Sequence, residues 1–351
     1  MVTLFVMSME RYSGKTAVCL GLARKMASDG LSVGYFKPLS IAIKRTEGLD
    51  VDASLMRRSL GLTESLDVLA PVTIDGPALD RLFAEKLDDP RVKIAEAFKT
   101  VSEGRDVVMV EGQNGLAEGS MVGLDNQSMA ELLDARCLLV IRSNTELLAD
   151  DVLAVKKNLG NRLLGVVLNA VPRGMLEFVT ESLTPFIRRR GVKVYAILPE
   201  DKMLMAATVG ELVDRLGGRV VTGQDRMNEL VENVMVGAMS VENALNYFRR
   251  RPNKVVITGG DRADIQLAAL QTSTKALVLT GNLYPDSIIL SRATEVGVPI
   301  ILARMDTMSA VKTVETMMGR IRLSHPRQVG RLVDLASQGI DLQALRQAVG
   351  L

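Results

Sequence analysis

Residues 8–16 read SMERYSGKT, and this stretch decides the fold of the first part of the chain. It follows an apolar run at residues 4–7 and precedes a helical pattern. A strand that turns through a loop ending in Gly14-Lys15-Thr16 brings backbone N–H groups, an ammonium and a hydroxyl to one point at a helix N-terminus. These groups suit a phosphate and its Mg²⁺, so the pattern predicts a phosphate-binding loop.

The loop departs from the usual G-x-x-x-x-G-K-[ST] pattern at its first position. Glycine is expected at position 9, or at position 8 in a longer variant, where this chain has Met9 and Ser8. A side chain there could crowd the backbone against a phosphate. A degenerate loop that no longer binds nucleotide, or an ordinary turn between a strand and a helix, therefore stays open as an alternative.

Composition restricts the class of protein. With 351 residues the chain is long enough for two domains, each with its own core. A formal net charge of +2 argues against a nucleic-acid binder, which would carry a concentrated basic excess. Cys19 and Cys137 lie among apolar residues, which favours buried free thiols. Since the sequence shows neither a signal peptide nor a long apolar run, we expect a cytoplasmic protein without a membrane partner.

Apolar strand candidates alternate with helical patterns, as a parallel sheet covered on both faces requires. The first strand candidates are residues 4–7, 33–36, 107–110, 137–141, 165–168 and 194–197, and the helix candidates are residues 17–29, 94–102, 128–133 and 147–159. Residues 1–205 are therefore predicted to form one doubly wound α/β domain. Such a domain binds ligands at the carboxyl ends of its strands.

A second, shorter α/β pattern follows. Its strand candidates are residues 219–222, 255–257, 276–279 and 299–302, and its helix candidates are residues 203–216, 241–250, 263–271, 287–295 and 310–321. We predict a smaller α/β domain over residues 206–325 and a helical tail over residues 326–351. The apolar positions among residues 227–239 fit either a subunit interface or a helix packed in the core.

The element Gly259-Gly260-Asp261-Arg262 follows a strand of this second domain. Two glycines after a strand could form an anion-binding nest, which would make this element a possible ligand site. A tight turn with an Asp N-cap is the alternative.

Charged side chains also follow strands of the first domain. Lys37 is expected at the same sheet edge as Lys15, where two ammonium groups would suit a polyphosphate or a phosphorylated intermediate. Glu111 ends the next predicted strand, and a carboxylate there favours a functional role. Asp50 and Asp52 lie between these positions. Carboxylates of this group, with a hydroxyl and phosphate oxygens, would satisfy Mg²⁺, although helix N-capping explains Asp50 and Asp52 equally well.

These residues resemble dethiobiotin synthetase and its amidoligase relatives. The matching positions run in order through the first domain: Gly14-Lys15-Thr16, Phe36-Lys37-Pro38, Asp52, Glu111-Gly112 with Gly115, Asn169 and Leu198-Pro199. Within that group the chain is most similar to the N-terminal domain of some phosphotransacetylases, which carries a Ser-x-Glu-x-Tyr-Ser-Gly-Lys type of loop. The second domain resembles the DRTGG domain that follows it there, since residues 259–262 look like its Gly-Gly-Asp-Arg element.

The resemblance implies a P-loop fold with a mostly parallel sheet, and it implies ATP and Mg²⁺ as ligands. Ser13, Gly14, Lys15 and Thr16 would bind the ATP phosphates. Asn169 would read the adenine edge, for which its amide offers both a donor and an acceptor.

The resemblance also implies which residues bind the metal and which would be catalytic. Thr16, Asp52 and Glu111 would be the Mg²⁺ ligands. Lys15 and Lys37 would be the catalytic lysines if the chain is an enzyme.

Two positions argue against dethiobiotin formation itself. Tyr12 stands where the synthetase loop has a substrate-side acidic residue. Ile41 stands where a hydroxyl-bearing residue follows the Lys-Pro motif. Acetyl transfer would need a further domain of several hundred residues, so we do not expect an acetyltransferase.

Three hypotheses follow. The first is an ATP- and Mg²⁺-binding regulatory protein whose DRTGG domain senses a small-molecule ligand or mediates assembly. The alternative is an ATP-dependent ligase that activates a small carboxylate through an acyl phosphate. The third is an assembly module whose loop has decayed. Separately, the family resemblance alone implies a homodimer or a higher homo-oligomer.

Overall fold

The computed structural model describes residues 1–41, 50–143, 145–318, 323 and 325–351. The chain divides into two compact units, Met1–Glu200 with Gly330–Leu351, and Asp201–Val329. The domain boundaries expected from the sequence, at residues 205 and 325, stay a prediction. Among the described residues, no helix combines the length and the apolar character needed to cross a bilayer.

The first unit is built on strands that are almost wholly apolar. They are β1 (Val2–Met7), β2 (Val33–Phe36), β3 (Leu39–Ile41), β4 (Val72–Ile74), β5 (Val107–Glu111), β6 (Arg136–Arg142), β7 (Leu163–Val171) and β8 (Lys193–Pro199). Six of them form a parallel sheet in the order β2-β5-β1-β6-β7-β8, and β3 pairs with β4 separately. Every residue of β5 and β7 is buried. Because successive side chains point to opposite faces, both faces of this sheet are covered.

The helices of the first unit alternate with these strands. They are α1 (Lys15–Ser28), α2 (Val51–Leu60), α3 (Leu66–Leu69), α4 (Gly76–Phe83), α5 (Pro90–Ser102), α6 (Asn126–Leu132), α7 (Leu148–Leu159), α8 (Leu176–Phe178) and α9 (Thr184–Arg189). The predicted strands of this unit and the doubly wound α/β class are confirmed. The strand order changes direction at β1, which places the loop after β1 where such sheets bind ligands.

The second unit contains a smaller sheet. The strands of this unit are β9 (Ala207–Thr208), β10 (Arg219–Thr222), β11 (Leu230–Val231), β12 (Asn233–Val236), β13 (Lys254–Gly259), β14 (Thr274–Thr280) and β15 (Ile300–Leu302). Its helices are α10 (Val209–Leu216), α11 (Val241–Arg250), α12 (Ala263–Leu270), α13 (Ser287–Val296) and α14 (Thr307–Met317). Five strands form a sheet in the order β10-β15-β14-β13-β12, in which only β10 runs antiparallel to its neighbour.

The second unit has three layers, because alternate residues of its strands face different helices. Val255 and Ile257 pack with α10 and α14 on one face. Val256, between them, packs with α11, α12 and α13 on the other. The predicted α/β class of this part of the chain is confirmed.

The chain ends in two helices, α15 (Pro326–Gly339) and α16 (Leu342–Val349). Residues from Gly330 onward belong to the first unit. Within it α1 and α15 lie so close that a Cβ on Gly21 would overlap the Cβ of Ala336.

Three predicted elements of the second unit need correction. The helix expected over residues 203–216 begins only at Val209, because Thr208 and Glu211 form a reciprocal capping box that starts it there. The core helix considered for residues 227–239 is wrong, since this segment contains β11 and β12. The helix expected over residues 310–321 is found as α14, and residues 319–321 of that prediction lie outside the described residues.

Candidate functional site

The loop after β1 ends at Gly14, which takes a left-handed conformation with φ of +92°. Glycine adopts this conformation without strain. As the N-cap residue of α1, Gly14 has no side chain to cover the helix terminus. The first N–H groups of the helix lack acceptors within it, so this end of α1 is suited to bind an anion.

Lys15 is buried beside two neutral acceptors. Its Nζ donates to Asn114 Oδ1 at 2.8 Å and to Ser8 Oγ at 3.0 Å. The Ser8 hydroxyl in turn donates to the carbonyl of Glu10 at 2.8 Å. Burial lowers the pKa of Lys15, although the nearby Glu111 opposes this shift. The serine that departs from the usual loop pattern therefore holds the loop lysine in place.

Glu111 lies at the end of β5 and is only 3% exposed. The hydroxyl of Thr16 donates to its Oε1 at 2.6 Å, and the hydroxyl of Tyr35 donates to its Oε2 at 2.8 Å. Burial raises the pKa of Glu111, and the charge of Asp52 raises it further. Burial also raises the pKa of the Tyr35 hydroxyl, which keeps that group a donor.

Lys37 lies between two carboxylates. Its Nζ is 2.9 Å from Asp50 Oδ2 and 2.6 Å from Asp52 Oδ2. Burial opposes the charge of Lys37, but the carboxylates of Glu111, Asp52 and Asp50 outweigh it and raise its pKa. The ammonium of Lys37 is therefore already neutralised by the protein.

The N-capping interpretation is confirmed for Asp50. Its Oδ1 accepts from the backbone N–H of Ala53 at 2.9 Å, at the start of α2. Its Oδ2 also accepts from the Ser40 hydroxyl at 2.6 Å. Asp52 makes no such cap, and its side chain is 39% exposed, so it remains accessible to a ligand.

Asn169 contacts the phosphate loop directly. Its Nδ2 donates to the carbonyl of Ser13 at 2.7 Å, which joins β7 to the loop. The expected role of Asn169 at the adenine edge stays a prediction. The Ser13 hydroxyl is buried and has no hydrogen-bond partner among the described residues. An unsatisfied buried polar group of this kind marks a place for a ligand or a water.

A second polar loop, after β5, places Asn114 beside Lys15. The Asn126 side chain fixes this loop by accepting from the N–H of Gln113 at 3.0 Å and donating to the carbonyl of Gly115 at 2.8 Å. A Cβ on Gly112 would come within 2.7 Å of both Phe5 and Asn126. Both polar side-chain atoms of Gln113 are buried and unpaired within the described part of the chain.

Sequence reasoning missed three contributors to this site. Asn114 and Lys15 are 99 residues apart, so their pairing left no local signal. Tyr35 lies inside an apolar strand and appears there as a core residue. Ser40 had a weak signal, as a hydroxyl two residues after the Lys-Pro motif.

The oxygen donors near the loop fit Mg²⁺. Among the described residues, no group of three or more His, Cys, Asp and Glu side chains could hold a metal alone. Instead, the Thr16 hydroxyl lies beside the Glu111 carboxylate, with the charge of Asp52 near enough to act on Glu111. Mg²⁺ commonly takes one or two protein ligands and completes its shell with phosphate oxygens and water.

The turn interpretation of residues 259–262 is confirmed. The N–H of Arg262 donates to the carbonyl of Gly259 at 3.1 Å, and the N–H of Gly260 donates to Thr280 at 3.2 Å. The expected Asp N-cap is wrong, because Arg262 is the N-cap residue of α12 and makes no side-chain capping bond. Its guanidinium instead pairs with Asp264 at 3.0 Å. A ligand site at this turn stays a prediction.

Fold and site together define a P-loop protein of the nucleotide-binding class. A family model described as an AAA domain matches residues 2–208, and a model described as a DRTGG domain matches residues 211–317. Since the first match covers more than half of the chain, the chain belongs to this AAA domain family, of the dethiobiotin-synthetase-like type, with a DRTGG domain after it. The resemblance drawn from the sequence is confirmed.

Several bacterial phosphate acetyltransferases are similar to this chain. The one from Nitrosomonas europaea is 26% identical over a match 369 residues long. This match covers 100% of this chain and 52% of the relative. The one from Nitratidesulfovibrio vulgaris is 27% identical, over 97% of this chain and 51% of the relative. The chain thus spans about half the length of the curated relatives it matches.

Solved structures show weaker likenesses. The septum site-determining protein MinD of Pyrococcus horikoshii, solved with Mg-ADP, has 17% identity and a TM-score of 0.34, covering 58% of this chain and 83% of that chain. The CBS and DRTGG domains of Clostridium perfringens pyrophosphatase, solved with diadenosine tetraphosphate, have 18% identity and a TM-score of 0.30. This match covers 48% of this chain and 70% of that chain. Likenesses this small carry no functional conclusion.

Proposed function

We propose that the chain is a regulatory protein that binds ATP with Mg²⁺ in its first unit. The second unit would sense a small-molecule ligand or mediate assembly. The observation that carries this proposal is the position of Lys15 and Thr16 at the open N-terminus of α1, with Glu111 hydrogen-bonded behind Thr16.

A triphosphate would supply the negative charge that the surroundings of the Lys15 ammonium lack. The ammonium now has two neutral acceptors, Ser8 and Asn114, in a buried setting that disfavours its charge. Phosphate oxygens would provide negative charge at the same place, and N⁺–H···O⁻ bonds are stronger than bonds to neutral acceptors. Thr16, Glu111 and Asp52 would hold Mg²⁺ through their oxygen atoms, and the bound ion would neutralise part of the phosphate charge.

The environment of Lys37 favours a regulatory protein over a ligase. A ligase would use the ammonium to stabilise developing charge on an acyl phosphate. Asp50 and Asp52 already compensate that ammonium at 2.9 and 2.6 Å. The catalytic role of Lys37 therefore stays a prediction that the geometry does not favour. The expected homodimer and the cytoplasmic location also stay predictions.

Calorimetric titration of the full chain with ATP and Mg²⁺ tests the proposal. Wild type should bind, and Lys15→Met should weaken binding by about tenfold or more, since a charge-assisted contact is lost. Lys25→Met is the matched control, because Lys25 lies on the exposed side of α1 and pairs with Asp29. Absence of binding by wild type, or equal affinity in both variants, would contradict the proposal.

ATP turnover distinguishes the ligase alternative. Wild type is incubated with ATP and Mg²⁺, with and without a pool of small carboxylic acids, and phosphate release is measured. A regulatory protein should show no acceleration by any carboxylate. Acceleration that Lys37→Met abolishes would establish the ligase instead.

A further inference from the structure

The second unit carries a cleft of about 270 Å³ at the edge of its sheet. Six residues line it: Gly217, Gly218, Arg219, Asn282, Leu302 and Arg304. They come from the junction of α10 and β10, from the segment after β14, and from the end of β15 and the segment after it. The cleft therefore lies at the carboxyl ends of parallel strands, where α/β sheets place their ligands. None of the six lining residues belongs to the turn at residues 259–262.

Backbone contacts fix the shape of this cleft. Gly217 ends α10 in a left-handed conformation with φ of +56°. A Cβ on Gly218 would come within 2.5 Å of Ile301, so only glycine lets the chain pass this close to the sheet. The N–H of Asn282 donates to the carbonyl of Ala303 at 3.0 Å, which ties the segment after β14 to the segment after β15. These contacts fix the backbone of the lining.

The cleft is positively charged. Two of the six lining residues are arginines, and none is acidic. Within the described part of the chain, neither Arg219 nor Arg304 forms an ion pair or a side-chain hydrogen bond. The Arg219 guanidinium lies 5.9 Å from the centre of the Tyr284 ring, within reach of a cation–π contact. Asn282 adds an amide that can donate or accept.

We propose that this cleft binds the phosphate group of a small phosphorylated ligand. Guanidinium groups present planar, paired N–H donors that match phosphate oxygens, and two of them suit a doubly charged phosphate. The volume is just below the range of pockets for drug-sized ligands, which fits a small molecule. This inference deepens the sensor role proposed for the second unit and does not depend on ATP binding in the first.

The test is calorimetric titration of the full chain in the Lys15→Met background, in phosphate-free buffer, so that the loop of the first unit does not contribute. The probes are inorganic phosphate and glycerol phosphate. Arg219→Gln and Arg304→Gln should each weaken binding by about tenfold, since each removes charge-assisted hydrogen bonds. Arg249→Gln, an exposed arginine on α11, is the matched control and should bind as the parent does.

The outcomes separate the two sources of phosphate. Tighter binding of glycerol phosphate assigns the site to a phosphorylated metabolite, and equal binding assigns it to free phosphate. No binding of either probe, or binding that both glutamine variants retain, would overturn the proposal. Because ATP is titrated separately into the wild type, failure of this site and failure of the nucleotide site are distinguishable.

Discussion

Lys15 Nζ donates a 2.8 Å hydrogen bond to Asn114 Oδ1, which joins the phosphate loop to the loop after β5. Asn114→Ala should lower the free energy of unfolding by about 1–2 kcal/mol, because a buried ammonium loses one of its two acceptors. If phosphate oxygens replace this acceptor, ATP with Mg²⁺ should raise the melting temperature of the variant more than that of wild type. Equal shifts in both proteins, measured by calorimetry, would show that Lys15 does not exchange Asn114 for phosphate.

Glu111→Gln separates the charge of Glu111 from its hydrogen bonds. The amide oxygen can still accept from Thr16 or Tyr35, and burial of a charge is relieved, so stability should change by no more than about 1 kcal/mol. The gain in ATP affinity that Mg²⁺ brings should fall by about tenfold, because Mg²⁺ prefers a carboxylate. Titrations with Mg²⁺ and with EDTA measure this gain. An unchanged gain would remove Glu111 from the metal site.

Gly21 and Gly330 form a matched pair of helical glycines in the first unit. Gly21→Ala should cost about 1–3 kcal/mol, since its Cβ would overlap that of Ala336 and neither atom can move without its helix. Gly330→Ala places a Cβ in open space on α15 and should stabilise by about 0.5–1 kcal/mol. Urea unfolding measures both effects. Similar effects in the two variants would show that α1 and α15 do not pack as described.

Lys254 is fully buried at the start of β13, where its Nζ donates to the carbonyl of Ser273 at 2.9 Å. Burial lowers the pKa of Lys254 from 10.5 to about 8. The unfolded chain therefore keeps the proton up to pH 10.5 while the folded chain releases it above pH 8, so stability from this group rises with pH across that window.

Lys254→Met should remove this dependence. At pH 7 the variant should be more stable than wild type by about 1–3 kcal/mol, and the difference should shrink as the pH rises toward 10.5. The exposed Lys312→Met serves as control and should change stability little. Urea unfolding at a series of pH values gives the comparison, and a difference that grows with pH would contradict the burial of a charged Lys254.

The fold was largely predictable, because apolar runs such as that before Ser8 become buried parallel strands. Local signals also placed the loop and its helix, since Gly14 ends the loop and is the N-cap residue of α1. The errors had two sources: a local capping signal that was overlooked, and strand pairing that depends on tertiary context. Thr208 and Glu211 delay the start of α10, and the apolar segment at residues 227–239 pairs as strands that no local pattern distinguished from a helix.

The candidate site was predictable in its parts and not in its pairings. Lys15, Lys37, Asp52 and Glu111 follow the loop and strands of one sheet edge, as their spacing indicated. Which acceptor each lysine contacts depends on residues far apart in sequence. Lys37 proved to be compensated by Asp50 and Asp52, while Lys15 rests on neutral acceptors. That difference in charge, invisible in the sequence, distinguishes the two lysines.

A crystal structure of the full chain soaked with ATP and Mg²⁺ tests the central claim most directly. The account predicts phosphate oxygens within hydrogen-bond distance of Lys15 Nζ and of the first N–H groups of α1, with Mg²⁺ between the phosphates and the side chains of Thr16 and Glu111. A triphosphate bound elsewhere, or a Lys15 still bonded to Ser8 and Asn114 with no nucleotide at saturating ATP, would contradict it.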